Sequence, residues 1–192
     1  MRRLFAWKRL RHEAIETGVV VWAGTAIDAP ARAEPEAIDV NFREAVPADG
    51  DAIRAIVTET LAEFGFPIEA DGVDSDLDDI QGAYQRHGGS FRVLVDDQAT
   101  VVGCGGLFPM DDQTAELRKM YFRPEVRGRG LGRELLHDLV EQARANGFDR
   151  IVLETASNLT AAIRLYESFG FTETIGPKHS CRCDRMFMLR LR

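Results

Sequence analysis

Apolar residues recur along this chain at two different spacings, and the change between them predicts a mixed α/β domain. Strand-like segments occur at Phe91–Val95, Thr100–Phe108 and Thr114–Phe122, and turn-forming residues separate them. From Leu131 onward the apolar positions follow the spacing of an amphipathic helix, which ends near Gly147. A mostly antiparallel set of strands therefore leads into a strand–helix–strand unit.

The remaining segments complete a predicted order of β-α-α-β-β-β-α-β-α-β-β. A strand at Phe42–Val46 precedes a helix that ends at Gly65, and a second helix, capped by Ser75, continues through Tyr84. After the central helix we expect a strand at Ile151–Leu153, a helix that Ser157 or Asn158 caps and Gly170 ends, and late strands at Phe171–Thr174 and Met186–Leu191.

The first 39 residues differ in character from the rest. The first 15 have the pattern of a basic amphipathic helix, and Asp28–Glu36 is rich in Ala, Pro and Glu, which is typical of a linker. We interpret 1–39 as an N-terminal extension and linker, and 40–192 as the folded domain. A partner-binding arm, a weak targeting segment and translated sequence ahead of the true start are alternative interpretations of the extension.

Composition narrows the class of protein further. Lys and Arg total 24 against 31 Asp and Glu, a net charge of −7, which disfavours a nucleic-acid partner. The apolar run Val19–Ala23 is far shorter than the roughly 20 residues of a membrane span, and no secretory leader follows the basic start. Three cysteines, an odd and sparse number, indicate reduced thiols. We therefore expect a cytoplasmic protein without a membrane or metal partner.

Charge is segregated along the chain. Seven acids and no base occur between Glu63 and Asp79, which we call the acidic segment. Six bases and one acid occur between Arg118 and Arg133. Two solvated faces would explain this pattern, but the acidic segment also suits a cation and the basic one an anion.

The most informative motif is a glycine-rich turn, Arg127-Gly128-Arg129-Gly130-Leu131-Gly132, between a strand and a helix. Glycines allow a ligand to approach the backbone, and a helix N-terminus attracts phosphate oxygens. Arg127, Arg129 and Arg133 would add charge-assisted hydrogen bonds. The P-loop lysine is absent, and the dinucleotide fingerprint fails at Arg133. The pattern that fits is Arg/Gln-x-x-Gly-x-Gly/Ala.

Three stretches together, Glu116–Gly132, Leu153–Asn158 and Ala162–Phe171, resemble the acetyl-CoA-binding core of the GNAT superfamily of N-acetyltransferases. The resemblance implies an α/β (α+β) fold in which helices flank a central, mostly antiparallel sheet. It also implies a parallel strand pair, here Thr114–Phe122 and Ile151–Glu154, that splays at a bulge to form the cofactor slot. The order of elements fits this fold from about Asn41 onward.

The resemblance also implies roles for individual residues. Backbone groups of Met120, Tyr121 and Phe122 would bind the pantetheine arm and the thioester carbonyl of acetyl-CoA. Tyr166 would be the general acid that protonates the departing thiolate, and Asn158 would contact the cofactor arm. The pyrophosphate would lie on the glycine-rich turn, at Arg127, Gly128, Arg129, Gly130, Leu131 and Gly132.

The proton acceptor has to be inferred from position alone. Strict alternation places Glu116, Arg118, Met120 and Phe122 on one face of their strand, beside the proposed acetyl group. Glu116 is therefore our candidate base, and Glu154 is the second choice. The predicted reaction is direct transfer of the acetyl group to a primary amine of a small molecule or of a protein. The alternatives are a non-catalytic acetyl-CoA sensor or an interaction module, and many relatives are homodimers.

Two further patterns concern the acceptor and the thiols. The acidic segment is expected to cover the acceptor side and attract an amine, which favours a polyamine, an aminoglycoside, an amino acid or a lysine-bearing protein. Arg182, Arg185 and Lys178 would suit an acceptor carboxylate, so an amino acid or a related amine satisfies both patterns. The spacing His179-x-Cys181-x-Cys183 resembles half of a zinc site but lacks a second ligand pair. A covalent route through Cys181 with His179 or His87 is a weaker alternative.

Overall fold

The computed structural model describes residues 21–22, 25–26 and 39–192. The chain divides into two units, and the second begins at Ile38. In the first unit Val21–Trp22 (β1) pairs with Thr25–Ala26 (β2) in antiparallel fashion. The predicted helix over the first 15 residues and the linker at 28–36 lie outside the described residues.

A seven-stranded sheet forms the frame of the second unit. Its strands are β3 (Val40–Glu44), β4 (Ser90–Asp96), β5 (Val101–Pro109), β6 (Thr114–Phe122), β7 (Arg150–Thr155), β8 (Thr172–Thr174) and β9 (Arg185–Arg190). They lie in the order β3-β4-β5-β6-β7-β9-β8. Every neighbouring pair is antiparallel except β6 with β7, which is parallel. The predicted fold class is therefore confirmed.

Helices cover both faces of this sheet. The α-helices are α1 (Gly50–Glu63), α2 (Ile80–Ala83), α3 (Leu131–Ala145) and α4 (Thr160–Ser168). Leu94 of β4 belongs to the apolar core under α3 and α4, whereas its neighbours Val93 and Val95 belong to the core under α1 and α2. Successive strand residues point to opposite faces, so the two cores lie on opposite sides of the sheet. None of the helices that the structure describes is long and apolar enough to cross a membrane.

Two predicted helix boundaries are wrong. The expected helix from Ser75 to Tyr84 is a 3₁₀ turn followed by the single turn of α2, because Asp79 has a non-helical backbone and its side chain accepts the N–H of Gly82. The expected caps of α4 do not act as caps. Leu159 occupies the cap position without a side-chain bond, and the N–H of Ser157 donates to Asp184.

A β-bulge interrupts β6. Gly106 pairs with Arg118 and Cys104 with Tyr121, so β6 contains one more residue than β5 across this interval. Lys119 lies in the extra step and has φ = 55°, in the left-handed region. The alternation of side chains therefore changes phase in the middle of the strand.

The bulge corrects the predicted faces of β6. Met120 and Phe122 pack with Leu117 against the core of α3 and α4. Arg118 instead stacks on the ring of Phe108, which packs against the opposite core. The prediction that Arg118 shares a face with Met120 is wrong, because strict alternation does not allow for the inserted residue.

The same strand separates from its parallel neighbour. Pairing of β6 with β7 comprises three residue pairs and ends at Glu116 opposite Val152. Beyond that point the edge of β6 that faces β7 is not paired with it. This separation confirms the predicted splayed strand pair and opens the cleft described next.

Candidate active site

A cleft of about 490 Å³ opens where β6 and β7 separate. Its walls come from β6, the starts of α3 and α4, the end of α1 and the β8–β9 loop (residues 175–184). The predicted site residues that line it are Glu116, Met120, Tyr121, Phe122, Arg127, Gly128, Leu131, Gly132, Asn158 and Tyr166. Arg129 and Gly130 are not among its lining residues, although they belong to the same turn.

The glycine-rich turn has the backbone shape of an anion site. Gly128 and Gly130 have φ of 75° and 87°, which favour glycine. The carbonyl of Gly130 accepts the first bond of α3, from the N–H of Arg133 at 2.8 Å. The N–H groups of Leu131 and Gly132 precede that bond and have no partner within the helix, so they can donate to a phosphate oxygen.

The arginines of this region are engaged by the protein itself. The Arg127 guanidinium donates to the Glu63 carboxylate at 2.6 and 3.1 Å and to the carbonyl of Phe122 at 2.7 Å. The hydrogen bond from Arg127 lowers the pKa of Glu63. Arg133 donates to the hydroxyl of Ser168 at 3.0 Å. The turn therefore presents its backbone to a ligand, while these two guanidinium groups hold it in place.

Tyr166 has the properties of a proton donor. Its side chain is buried, Tyr166 lines the cleft, and its hydroxyl has no hydrogen-bond partner among the described residues. Burial raises the pKa of Tyr166 to about 12, and the nearby Cys183 adds to the shift. The phenol is therefore protonated at neutral pH and is free to donate to a group bound in the cleft.

Glu116 lies at the point where β6 and β7 part. Glu116 is 5 % exposed, and its carboxylate accepts a hydrogen bond from Nε of Arg118 at 2.7 Å. The Arg118 guanidinium lies 3.9 Å above the ring of Phe108. The same guanidinium lies 3.6 Å from the carboxylate of Asp76, so Arg118 has two acidic neighbours.

Glu154, on β7, lies close to Glu116 and has different partners. It accepts the backbone N–H of His179 at 2.8 Å and that of Ser180 at 3.2 Å, and it lies 2.9 Å from Nδ1 of His179. Ligand atoms of Glu116, Glu154 and His179 lie within 4.8 Å of one another, so this trio could hold a cation. Both carboxylates already accept hydrogen bonds from the protein. Glu116 accepts from Arg118, and Glu154 accepts from the backbone of His179 and Ser180.

A buried ionic cluster lies next to these carboxylates. Asp74 accepts hydrogen bonds from Lys119 at 2.8 Å and from Arg182 at 2.6 Å. Burial raises the pKa of Asp74, but the bonds from Arg182 and Lys119 outweigh it and lower the pKa to about 2. Asp76 lies 3.2 Å from Lys119 and accepts the Tyr84 hydroxyl at 2.6 Å. The cluster fixes the acidic segment to the bulge of β6 and to the β8–β9 loop.

Comparison with known proteins agrees with this geometry. The model of the acetyltransferase (GNAT) family matches residues 53–171. The uncharacterised N-acetyltransferase YjgM of Escherichia coli is 38% identical over 128 residues, which is 64% of this chain and 76% of that protein. An uncharacterised N-acetyltransferase of Schizosaccharomyces pombe is 34% identical over 67% of this chain and 80% of that protein. The chain belongs to the GNAT family of acetyltransferases.

Solved structures show the same fold. A GNAT acetyltransferase of Staphylococcus aureus Mu50 has a TM-score of 0.75 at 23% identity and covers 80% of this chain and all of its own. The acetyltransferase yncA of Salmonella typhimurium, solved with its cofactor acetyl-CoA, has a TM-score of 0.63 at 27% identity and covers 80% of this chain and 95% of its own. The family resemblance is thereby confirmed, and the protein is a GNAT-type acetyltransferase.

The acidic segment of this GNAT domain is mostly paired within the protein. Six of its seven carboxylates pair with Arg or Lys side chains, and Asp71 has no ion-pair partner among the described residues. The pairs are Glu63 with Arg127, Glu69 with Arg182, Asp74 and Asp76 with Lys119, Asp78 with Arg54, and Asp79 with Arg86. Asp74 and Asp76 are buried with their partners, whereas the side chains of Asp78 and Asp79 are 72% and 60% exposed. The expected attraction of an amine to this segment stays a prediction.

The basic residues expected near an acceptor carboxylate are also engaged. Arg182 lines the cleft but is bound to Asp74. Arg185 pairs with Glu173 at 2.7 Å, and Lys178 donates to the carbonyl of Asp184. Neither Arg185 nor Lys178 lines the cleft.

The His179, Cys181 and Cys183 side chains have separate surroundings. His179 pairs with Glu154, Cys181 donates to Glu69 at 3.3 Å, and Cys183 lines the cleft. The structure therefore does not bring these three side chains together into a zinc-like site. Sequence reasoning missed the pairing of His179 with Glu154, because the two residues are 25 positions apart and meet only through the β8–β9 loop.

Proposed function

We propose that this GNAT domain binds acetyl-CoA in the cleft between β6 and β7 and transfers the acetyl group directly to a primary amine. The acceptor amine would belong to a small molecule, or to a lysine or N-terminus of a protein. The observation that carries the proposal is one cleft that a glycine-rich helix N-terminus and Tyr166 both line, and the Tyr166 hydroxyl has no hydrogen-bond partner among the described residues.

Acetyl-CoA would occupy the space that β7 leaves beside β6. The backbone edge of Met120–Phe122 lies past the last β6–β7 pair, so it can bond to the pantetheine arm as a neighbouring strand would. The pyrophosphate would accept N–H groups of the glycine-rich turn, with Asn158 beside the arm. The acetyl-CoA complex of the Salmonella relative supports this assignment.

The reaction would then need two proton transfers. The neutral amine attacks the thioester carbonyl, and fixed N–H donors of β6 stabilise the resulting oxyanion. The C–S bond breaks, and Tyr166 donates its proton to the departing thiolate. A carboxylate at the splay, Glu116 or alternatively Glu154, accepts the proton that the amine nitrogen loses.

Substitution of each carboxylate distinguishes the two candidate bases. We expect the base variant, Glu116→Gln or Glu154→Gln, to lower kcat about a hundredfold or more, with a smaller change in the affinity for acetyl-CoA. The other variant serves as its matched control. Similar losses in both variants would contradict a single carboxylate base.

Direct transfer, without an acyl-enzyme, is supported by the state of the thiol in the cleft. Burial raises the pKa of Cys183 to about 11, and the charge of Glu154 adds to the shift. At neutral pH the thiol is protonated and a poor nucleophile.

The free state of Cys104, Cys181 and Cys183 supports the cytoplasm as the location we propose.

Calorimetric titration with acetyl-CoA, followed by a free-thiol release assay over an amine panel, tests the proposal. We expect saturable binding and amine-dependent thiol release that Tyr166→Phe slows by about 10²- to 10⁴-fold. Binding without release would favour the acetyl-CoA sensor. Failure to bind acetyl-CoA would contradict the assignment of the cleft.

A further inference from the structure

The cleft has two ends that specific contacts define. At the cofactor end Glu63 of α1 bonds to Arg127 of the glycine-rich turn. At the acceptor end Lys119 of the bulge donates to the carbonyl of Val73 at 2.8 Å, and Arg182 donates to the carbonyl of Pro67 at 2.9 Å. The segment around 66–73 therefore lies beside the bulge and the β8–β9 loop, where the acceptor would approach the thioester.

Charged side chains that line the acceptor end all have partners within the protein. The pairs are Glu116 with Arg118, Lys119 with Asp74 and Asp76, Arg182 with Asp74 and Glu69, and Glu154 with His179. Arg182 and Lys119 are 8% and 4% exposed in their side chains, so solvent does little to replace a lost partner. A second charge on the acceptor would have to compete with one of these pairs.

The remaining lining at this end is apolar or neutral. Val73 and Phe66 line the cleft from the acidic segment, and Ser180 and Cys183 line it from the β8–β9 loop. Burial keeps the Cys183 thiol protonated and uncharged at neutral pH. An apolar group placed between these side chains would lose contact with water at both surfaces, which is favourable.

We infer that the acceptor is a small monoamine whose remainder is uncharged and apolar, rather than an amino acid or a polyamine. The inference rests on the proposed transfer to an amine and adds the class of acceptor. The ammonium loses its proton before attack, so the bound nucleophile is neutral and needs no counter-ion. A carboxylate or a second ammonium would stay charged and meet a site whose charges are already paired.

Two pairs of amines, each differing by one charged group, test the inference. Phenethylamine is compared with phenylalanine, which adds a carboxylate, and hexylamine with hexamethylenediamine, which adds an ammonium. We expect kcat/KM to be at least about tenfold higher for the singly charged member of each pair. Equal or higher kcat/KM for phenylalanine or the diamine would overturn the inference. If none of the amines gave thiol release, the proposed transferase function itself would have failed.

A matched pair of variants tests the role of charge pairing. Glu69→Gln removes a partner of Arg182 at the acceptor end, and Glu63→Gln removes the partner of Arg127 at the cofactor end. We expect Glu69→Gln to shift the ratio of kcat/KM values toward phenylalanine by about threefold or more, because one of the two negative charges beside Arg182 is removed while Asp74 stays bound to it. Glu63→Gln should leave that ratio unchanged. Equal shifts in both variants, or none in Glu69→Gln, would contradict the inference.

Discussion

The cofactor end and the acceptor end of the cleft are built in different ways. At the cofactor end neighbouring residues of the glycine-rich turn supply backbone N–H groups, and the start of α3 follows at once. At the acceptor end each feature depends on side chains from distant parts of the chain. Lys119 meets Asp74 across 45 positions, and Arg182 meets Asp74 across 108.

This difference shows under which condition a run of charged residues in a sequence predicts a ligand of opposite charge. Backbone donors at a helix start remain available whatever the rest of the chain does, because no carbonyl precedes them in the helix. Side-chain charges are available only when the fold supplies no counter-ion. Asp74 and Asp76 of the acidic segment are buried against Lys119, so their charge is engaged within the fold.

Removal of the hydroxyl of Tyr166, a residue that lines the cleft, should have the largest effect on the rate. We expect Tyr166→Phe to lower kcat by about 10²- to 10⁴-fold, because the thiolate would leave unprotonated. The free energy of unfolding and the calorimetric Kd for acetyl-CoA should change little, since the hydroxyl has no partner among the described residues. An unchanged kcat would exclude Tyr166 as the donor.

Loss of the central acid of the ionic cluster should be the largest stability effect. Asp74→Ala leaves Lys119 and Arg182 buried without that partner, and we expect the free energy of unfolding in urea to fall by about 3–5 kcal/mol. Asp78→Ala is the matched control, because its pair with Arg54 is exposed and contributes less than about 1 kcal/mol. Equal losses would mean that the cluster is no stronger than a surface pair.

Acid should weaken the acceptor end through the same residue. The pKa of Asp74 is lowered to about 2 in the folded state from an ordinary 3.8, so the folded protein binds this proton less readily than the unfolded chain. Its contribution of about 2 kcal/mol is present above pH 4 and is lost as pH falls toward 2. Urea unfolding between these limits should show a smaller pH dependence for Asp74→Asn than for the wild type.

A smaller effect is expected from glycine replacement at the cofactor end. Gly130 and Gly147 both have φ = 87° and open space around the position of a Cβ, and they flank opposite ends of α3. Alanine at either position should cost about 1 kcal/mol of stability through backbone strain. Acetyl-CoA affinity, measured by calorimetry, should fall for Gly130→Ala and stay unchanged for Gly147→Ala. Equal acetyl-CoA affinities in the two variants would show that the glycine-rich turn does not bind the cofactor.

Sequence patterns were sufficient for most of the fold. The strands of the central sheet and the helix from Leu131 follow from apolar spacing, since each needs only a local periodicity. Errors arose where a side chain competes with the backbone, as at Asp79, and where one inserted residue at Lys119 shifts the alternation of β6. Neither event alters the local composition enough to be recognised in advance.

For the site itself, the sequence determined what adjacent residues do together. The glycine-rich turn, the family and the identity of Tyr166 as a lining phenol were accessible, because the relevant groups lie on short, regular segments. Only the tertiary structure decided which charges remain free. Pairing of Asp74, Glu69 and Glu154 with partners from β6 and the β8–β9 loop depends on contacts between distant segments, and ionic interaction energy depends on that distance and on burial.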